Sequence, residues 1–226
     1  MILPKMKNRI LPKKFQGDDN RSPENLVEYF IENFTKKGDR VLDIFAGLGT
    51  TLFVAEENER IPFGVEITKE RYSYIKENLK HKDNIILGDS TKLVEYNIPK
   101  CDFCYGSPPF TMKDHKENPF NAYESDGSYQ QYLLDYQKIY SQVKDKMKPD
   151  SYIVLDIANL KNKEGIITTL AWDVGKSITK VLHFVGEVII IWEFRESDTV
   201  DGQSEPWRVD GTFGYDHSYC LVFQNK

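Results

Sequence analysis

Residues 107–110 read SPPF and directly follow the apolar run CDFCYG at residues 101–106. Two adjacent prolines cannot continue a strand, because each lacks the backbone N–H that a ladder hydrogen bond requires. The simplest interpretation is a turn that ends a buried strand. The same residue types could also do chemistry: the Ser107 hydroxyl is a hydrogen-bond acceptor on a backbone held rigid by the prolines, and Phe110 offers a flat aromatic face.

A second group of chemistry-bearing residues stands at the end of another strand, where residues 41–51 read VLDIFAGLGTT. Gly47 and Gly49 have no side chains, so a ligand could approach the backbone N–H groups at the start of the following helix. A dinucleotide-binding loop would have a third glycine where this chain has Leu52, so a nicotinamide or flavin dinucleotide is disfavoured. The carboxylate of Asp43 would repel a pyrophosphate and suits a cationic ligand.

Two further acidic residues, Glu66 and Asp89, end the next two predicted strands, and Ser90 follows the second of them. Glu66 could accept both ribose hydroxyls of a nucleoside, and Asp89 could accept the exocyclic amine of an adenine ring. Either acid alone is most simply a solvated residue at a strand end. Three acids after three successive strands, with glycines after the first strand, together favour a positively charged adenosyl ligand.

The chain resembles the S-adenosylmethionine-dependent amino-methyltransferases, which modify the N4 atom of cytosine or the N6 atom of adenine. DIFAGLGTT is similar to the cofactor loop of that family, SPPF matches its D/N/S-P-P-Y/F/W catalytic motif, and residues 217–223, HSYCLVF, resemble its last strand. The resemblance covers about residues 21–223 and implies S-adenosylmethionine as the cofactor. The cofactor-binding residues that it implies are Ser22, Pro23, Asp43, Phe45, Ala46, Gly47, Gly49, Thr50, Thr51, Glu66, Asp89 and Ser90.

The resemblance also implies that Ser107, Pro108, Pro109 and Phe110 are catalytic residues. The exocyclic amine of a base is a poor nucleophile, because its lone pair is delocalised into the ring. Hydrogen bonds from its two N–H groups to the Ser107 hydroxyl and to a backbone carbonyl, that of Pro108, would favour a pyramidal nitrogen whose lone pair points at the methyl group. The prolines remove competing donors, Phe110 stacks a base that has left its helix, and neither a strong general base nor a metal is required.

The family favours DNA as the substrate, and serine at the first motif position favours N4 of cytosine over N6 of adenine. RNA is the alternative, because sequence-specific DNA methyltransferases usually carry a separate recognition region and no insertion here is long enough to be one. The candidate substrate-contacting segments are the loops at residues 111–128 and 195–214, which hold basic and aromatic side chains. A catalytically silent partner subunit, a protein-amide methyltransferase, a homodimer and a separate recognition subunit stay open.

The order of the predicted elements is that of an α/β protein. Helices are expected near residues 22–37, 50–59, 68–80, 129–147 and 164–180, and strands near residues 40–45, 62–67, 84–87, 101–106, 151–157, 187–194 and 215–224. This alternation predicts a mostly parallel seven-stranded sheet with helices on both faces, the Rossmann-like class I methyltransferase fold. The last two strands should pair antiparallel at an edge. Ser22 should cap the first helix, with Pro23 at its first position.

Length and composition support one domain. The chain has 226 residues, of which 40% are hydrophobic, so residues 21–226 are expected to form one soluble domain. The net charge of −5 indicates that the protein does not bind nucleic acid through its overall charge. Residues 1–20 form a basic arm, either a frayed tail or a phosphate contact. No signal peptide and no membrane span is predicted, so a cytoplasmic protein is expected. Cys101, Cys104 and Cys220 are expected to be small core residues rather than metal ligands.

Overall fold

The structure is a computed structural model that describes residues 2–3, 7–16, 21–115, 118–120, 127–162, 164–192 and 217–226. The predicted substrate-contacting loop at residues 195–214 lies outside the described residues, as do parts of the basic arm and of the loop at residues 111–128. Within the described ranges, no helix combines the length and the apolar character that crossing a membrane would require.

Strands and helices alternate along the described chain. The strands are β1 (Ile2–Leu3), β2 (Arg40–Asp43), β3 (Ile61–Glu66), β4 (Ile85–Leu87), β5 (Cys101–Gly106), β6 (Met147–Ile157), β7 (Leu160–Lys161), β8 (Ile167–Thr168), β9 (His183–Trp192) and β10 (His217–Gln224). The α-helices are α1 (Glu24–Phe34), α2 (Thr50–Glu57), α3 (Lys69–Asn78), α4 (Tyr129–Lys146) and α5 (Leu170–Ile178).

Eight strands form one sheet in the order β1-β9-β10-β6-β5-β2-β3-β4. The five strands from β6 to β4 in this order are parallel to their neighbours, whereas β10 runs antiparallel to both β6 and β9. The mostly parallel sheet and the antiparallel pairing of the last two strands are therefore confirmed. The two-residue strand β1 pairs parallel with β9 and adds an eighth strand outside the seven that were predicted.

The predicted helix at residues 164–180 is wrong over its first part. The strands β7 and β8 instead pair antiparallel, and the helix α5 begins only at Leu170. Gly165 sits in the turn with a φ of +84°, and its N–H donates to the carbonyl of Asn162. The left-handed glycine and the β-branched Ile166 and Ile167 favour a hairpin over a helix.

Strand β5 is buried on both faces, because its alternate side chains point into two separate clusters. Phe103 and Tyr105 pack in the same cluster as Phe30 of α1, whereas Cys104 packs in the cluster that contains Tyr136 of α4. The cysteines at 101, 104 and 220 are buried free thiols, as predicted. Helices on both faces therefore fix the end of β5, from which the SPPF motif continues.

The start of α1 differs from the prediction. The helix begins at Glu24 with Pro23 before it, and no side chain of the described residues caps it. The Ser22 hydroxyl instead donates to the buried carboxylate of Asp156 at 2.5 Å, so the prediction that Ser22 caps α1 is wrong. A buried carboxylate must receive hydrogen bonds to offset the loss of water. The bond from the Ser22 hydroxyl to a carboxylate is also stronger than the bond that this hydroxyl would accept from a neutral backbone N–H in a helix cap. The Glu24 N–H donates instead to the backbone carbonyl of Lys7 at 2.9 Å.

The described part of the basic arm packs on α1 and α2. Arg9 Nε donates to Glu24 Oε1 at 2.6 Å, and Arg9 Nη2 lies 3.2 Å from Glu57 Oε1. The Arg9 guanidinium also lies 4.3 Å from the centroid of the Phe53 ring, within cation–π distance. A frayed tail therefore does not describe residues 7–16, and Arg9 holds the arm to the domain.

Replacing Phe30 by alanine is expected to lower the free energy of unfolding by about 3–5 kcal/mol, because the side chain is 0% exposed and its loss leaves a cavity against β5. Urea unfolding followed by circular dichroism measures the change. Ile10→Ala is the control, because its side chain is 91% exposed and truncation should change stability by less than about 0.5 kcal/mol. Equal losses in the two variants would contradict the packing of α1 against β5.

Candidate functional site

A cavity of about 670 Å³ lies at the carboxyl ends of β2, β3 and β5, where the order of the strands along the sheet reverses. The predicted site residues that line it are Ser22, Asp43, Phe45, Ala46, Gly47, Thr50, Thr51, Glu66, Asp89, Ser90, Ser107, Pro108, Pro109 and Phe110. Pro23 and Gly49 stand outside this lining. The cavity thus brings the glycine loop, the strand-end acids and the SPPF motif together.

Two glycines build the turn from β2 into α2. Gly47 and Gly49 have φ values of +56° and +84°, in the left-handed region that glycine adopts without strain. A Cβ atom at position 49 would lie 2.9 Å from side-chain atoms of Phe53 and Ile75, so this glycine also allows the turn to pack closely against α3. Gly49 therefore packs against the helices on the side of the turn away from the cavity, whereas Gly47 lines the cavity.

Glu66 links the ends of two neighbouring strands. Its Oε2 accepts a hydrogen bond from the N–H of Gly47 at 2.7 Å, and its Oε1 accepts one from the N–H of Thr68 at 2.8 Å. The Gly47 N–H is therefore engaged by the buried carboxylate of Glu66. Each carboxylate oxygen still has a second lone pair, so Glu66 can also accept hydroxyl groups from the cavity side.

Asp43 is buried at the end of β2. Its Oδ1 accepts a hydrogen bond from the N–H of Phe45 at 2.9 Å, and the Thr51 side chain provides another. Burial raises the pKa of Asp43 to about 6, and the nearby negative charge of Glu66 adds to the increase. A buried anion next to a second acid is stabilised by a positive charge in the cavity.

The Asp89 loop is held by a phenol. The Tyr96 hydroxyl accepts a hydrogen bond from the Asp89 N–H at 2.8 Å and donates to the Asp89 carbonyl at 3.1 Å. Asp89 Oδ1 accepts from the N–H of Thr91 at 2.9 Å, and the Ser90 hydroxyl donates to the carbonyl of Ile44. Ser90 therefore ties this loop to the end of β2, and its hydroxyl is engaged within the protein.

Thr50, at the start of α2, is an unsatisfied polar group on the cavity wall. Its side chain is 6% exposed, and among the residues that the structure describes its Oγ1 has no hydrogen-bond partner. Leaving a buried hydroxyl unsatisfied costs about 1–3 kcal/mol. A polar ligand in the cavity would supply the missing partner.

Further residues line the cavity, and apart from Pro119 and Phe120, which belong to the predicted substrate-contacting loop at residues 111–128, none was identified from the sequence. They are Arg21, Ile44, Leu48, Val65, Ile67, Thr68, Arg71, Pro119 and Phe120. Ile67 could have been predicted to line the cavity, because it directly follows the strand-end acid Glu66 in the sequence. Its side chain is 68% exposed at the edge of the cavity. Arg71, by contrast, lies in α3 and reaches the cavity only through the packing of that helix, which no sequence pattern indicated.

The SPPF motif faces the cavity rather than the core. Ser107 is exposed and Phe110 is 54% exposed, whereas Pro108 is buried beneath the loop. The carbonyl of Pro109 accepts hydrogen bonds from the hydroxyls of two buried tyrosines of α4, at 3.0 and 3.3 Å. The Pro109 carbonyl is thus engaged by the protein, while the Ser107 hydroxyl and the Phe110 ring are presented to the cavity.

An aromatic wall stands beside the motif. The ring of Phe120 stacks on Phe45 with centroids 5.8 Å apart and on Tyr132 with centroids 5.3 Å apart. Asn118 fixes Phe120 by accepting a hydrogen bond from its backbone N–H at 2.9 Å, and Asn118 in turn donates to Asp135 at 2.7 Å. Phe45 and Phe120 both line the cavity, which therefore has a flat apolar surface near the exposed Phe110 ring.

Residues 3–77 match the family model described as DNA methylase, of the N6/N4 methyltransferase type. Two curated relatives align with parts of the chain. The orphan methyltransferase M.BamHII of Bacillus amyloliquefaciens is 38% identical over 78 residues, which is 34% of this chain and 29% of the relative. The type II methyltransferase M.BglII of Bacillus subtilis is 44% identical over 48 residues, 21% of this chain and 13% of the relative. The alignments therefore span less than a third of either relative.

Among solved structures, a SAM-dependent methyltransferase from Archaeoglobus fulgidus superimposes with a TM-score of 0.57. The match covers 94% of this chain and 96% of that one, at 16% sequence identity, and so shows a shared fold. The fold is that of the Rossmann-like methyltransferases, as the sequence predicted. Residues 3–77 are therefore similar to the DNA methylases of the N6/N4 type, and the chain as a whole shares the fold of a SAM-dependent methyltransferase.

Proposed function

We propose that the chain is an S-adenosylmethionine-dependent methyltransferase that acts on the exocyclic amino group of a nucleobase in DNA, with N4 of cytosine as the target atom. The observation that carries the proposal is that one cavity holds the strand-end acids Asp43, Glu66 and Asp89 together with the exposed Ser107 and Phe110. The description of the matching family as DNA methylase supports DNA as the substrate.

The residues on the glycine-loop side of the cavity fit the proposed cofactor. S-adenosylmethionine supplies an electrophilic methyl group on a positively charged sulfonium. Asp43 and Glu66 give this side of the cavity the negative charge that suits a cation. Glu66 would accept ribose hydroxyls through its remaining lone pairs, Asp89 would accept the adenine amine, and the unsatisfied Thr50 hydroxyl would gain a polar partner.

The residues on the SPPF side would orient the amine. The Ser107 hydroxyl would accept a hydrogen bond from one N–H group of the base, and the Pro108 carbonyl would accept one from the other. The neighbouring Pro109 carbonyl is less suited to this role, because two tyrosine hydroxyls already occupy it. Two acceptors on a rigid backbone would favour the pyramidal nitrogen, whose lone pair is free to react.

The aromatic side chains would hold the base. Phe110 is exposed, and Phe45 and Phe120 add a flat apolar wall, so a base removed from its helix can stack here. Stacking on an aromatic side chain contributes about 1–3 kcal/mol per base. This gain is comparable to the cost of a few kcal/mol for removing a base from a duplex.

Methyl transfer to total DNA and total RNA, assayed in parallel with tritiated S-adenosylmethionine, tests the proposal. Digestion to nucleosides and mass spectrometry should find the label in DNA as N4-methylcytosine. Label in N6-methyladenine would change the target base and keep the reaction class. Label confined to RNA would overturn DNA as the substrate, and no label in either nucleic acid would overturn the proposed activity.

Ser107→Ala is expected to lower the rate of methyl transfer by about 10²–10³-fold, because it removes one aimed hydrogen-bond acceptor. The affinity for S-adenosylmethionine, measured by calorimetry, should stay unchanged. Ser151→Ala is the matched control. Ser151 does not line the cavity, and its hydroxyl donates to the carbonyl of Lys148 near the amino end of β6. An unchanged rate in Ser107→Ala would contradict the role given to this hydroxyl.

The affinity for S-adenosylmethionine should fall below about pH 6, because the raised pKa of Asp43, about 6, means that its carboxyl group loses its negative charge there. A single proton coupled to binding weakens affinity by at most about tenfold per pH unit. Calorimetric titrations between pH 5 and pH 8 measure the effect. Asp43→Asn should bind more weakly at neutral pH and lose this pH dependence, whereas a wild-type affinity that is constant across the range would exclude Asp43 as the titrating group.

A further inference from the structure

Helix α4 carries a row of buried tyrosines, some of which contact the SPPF motif. The row consists of Tyr129, Tyr132, Tyr136 and Tyr140, which recur every three or four residues and so lie on one face of the helix. All four side chains are buried. The helix is fixed at its start, where the Ser128 side chain accepts a hydrogen bond from the N–H of Gln131. Two of these tyrosines reach the backbone of the motif.

The Tyr132 hydroxyl joins the backbone on the two sides of Phe110. It donates to the carbonyl of Pro109 at 3.0 Å and accepts a hydrogen bond from the backbone N–H of Thr111. The Tyr136 hydroxyl lies 3.3 Å from the same carbonyl and 3.1 Å from the Tyr132 hydroxyl. One phenol therefore satisfies the acceptor before Phe110 and the donor after it, and leaves the ring itself exposed.

We propose that Tyr132, supported by Tyr136, is a positioning residue for the catalytic motif. This inference rests on the proposed function. By holding the Pro109 carbonyl and the Thr111 N–H, the hydroxyl fixes the direction in which the Phe110 ring points. The same bond turns the Pro109 carbonyl into the core and leaves the carbonyl of Pro108, one residue earlier, for the amine of the base.

The hydroxyl, rather than the ring, carries this role. A phenylalanine would fill nearly the same space, but it would leave the Pro109 carbonyl with only the longer bond to Tyr136 and the Thr111 N–H without the phenol. Burial raises the pKa of Tyr132 and of Tyr136, so both hydroxyls stay protonated and able to donate at neutral pH. The Tyr132 ring has a second task, because Phe120 of the aromatic wall stacks on it at an interplanar angle of 13°.

Tyr132→Phe tests the proposal with two readouts. The first is the single-turnover rate of methyl transfer at saturating S-adenosylmethionine, to whichever total nucleic acid preparation accepts label from the wild type. We expect this rate to fall about 10–100-fold, because a small misplacement of reacting groups has effects of this size, while the affinity for S-adenosylmethionine stays unchanged. The second is hydrogen exchange at the Thr111 amide, measured by NMR, which should become at least about tenfold faster because a hydrogen bond is lost.

Tyr129→Phe is the matched control. It makes the same substitution on the same face of α4 and likewise removes one hydrogen bond, that from the Tyr129 hydroxyl to Asp173 Oδ2 at 3.0 Å. Tyr129 does not line the cavity. Its transfer rate and its Thr111 exchange should equal those of the wild type. Equal losses of rate in the two variants would indicate a general effect on stability and overturn the proposal.

The two readouts also separate this inference from the proposed function. Unchanged exchange at Thr111 in Tyr132→Phe, or faster exchange with an unaltered transfer rate, would overturn the positioning role while methylation by the wild type stands. A wild type that labels neither DNA nor RNA would instead overturn the proposed function. In that case the exchange measurement still decides whether the Tyr132 hydroxyl holds the backbone around Phe110.

Discussion

The contact between the ends of β2 and β5 is the constraint on which the site depends. A Cβ atom at Gly106, the last residue of β5, would lie 3.1 Å from Oδ1 of Asp43, the last residue of β2. The two strands are parallel neighbours, so the buried acid and the motif that starts at Ser107 leave the sheet at the same edge. A side chain at position 106 would require the Asp43 carboxylate to shift by a few tenths of an ångström, so glycine allows the ends of the two strands to lie this close.

Phenols hold the loops on both sides of the cavity. Tyr96 bridges the N–H and the carbonyl of Asp89, and Tyr132 bridges the carbonyl of Pro109 and the N–H of Thr111. In both places a hydroxyl, which is donor and acceptor at once, satisfies two backbone groups that have no partner in a helix or sheet. A loop held in this way needs little reorganisation when a ligand binds, which favours rigid placement of its acceptors.

Much of the fold could be predicted because its signals are local. The alternation of apolar strands with amphipathic helices is a property of short windows, and it predicts a parallel sheet covered on both faces. The prediction failed where two local signals compete. Residues 164–180 were expected to be helical throughout, but Gly165 adopts a left-handed backbone and β8 pairs antiparallel with β7. The antiparallel pairing of β9 with β10 was predicted, whereas the register of β10 against β6 joins strands far apart in the chain and was not.

The order of residues along each strand was enough to predict which side chains reach the carboxyl edge of the sheet, because a residue that ends a parallel strand must lie there. Asp43, Glu66 and Ser107 were located in this way. The hydrogen-bond partner of each group became known only from the packing of the folded chain: Ser22 donates to Asp156 instead of capping its own helix, and Glu66 accepts from the N–H of Gly47. The physical reason is that a buried donor binds the strongest acceptor within reach, and reach is set by packing between segments that are distant in sequence.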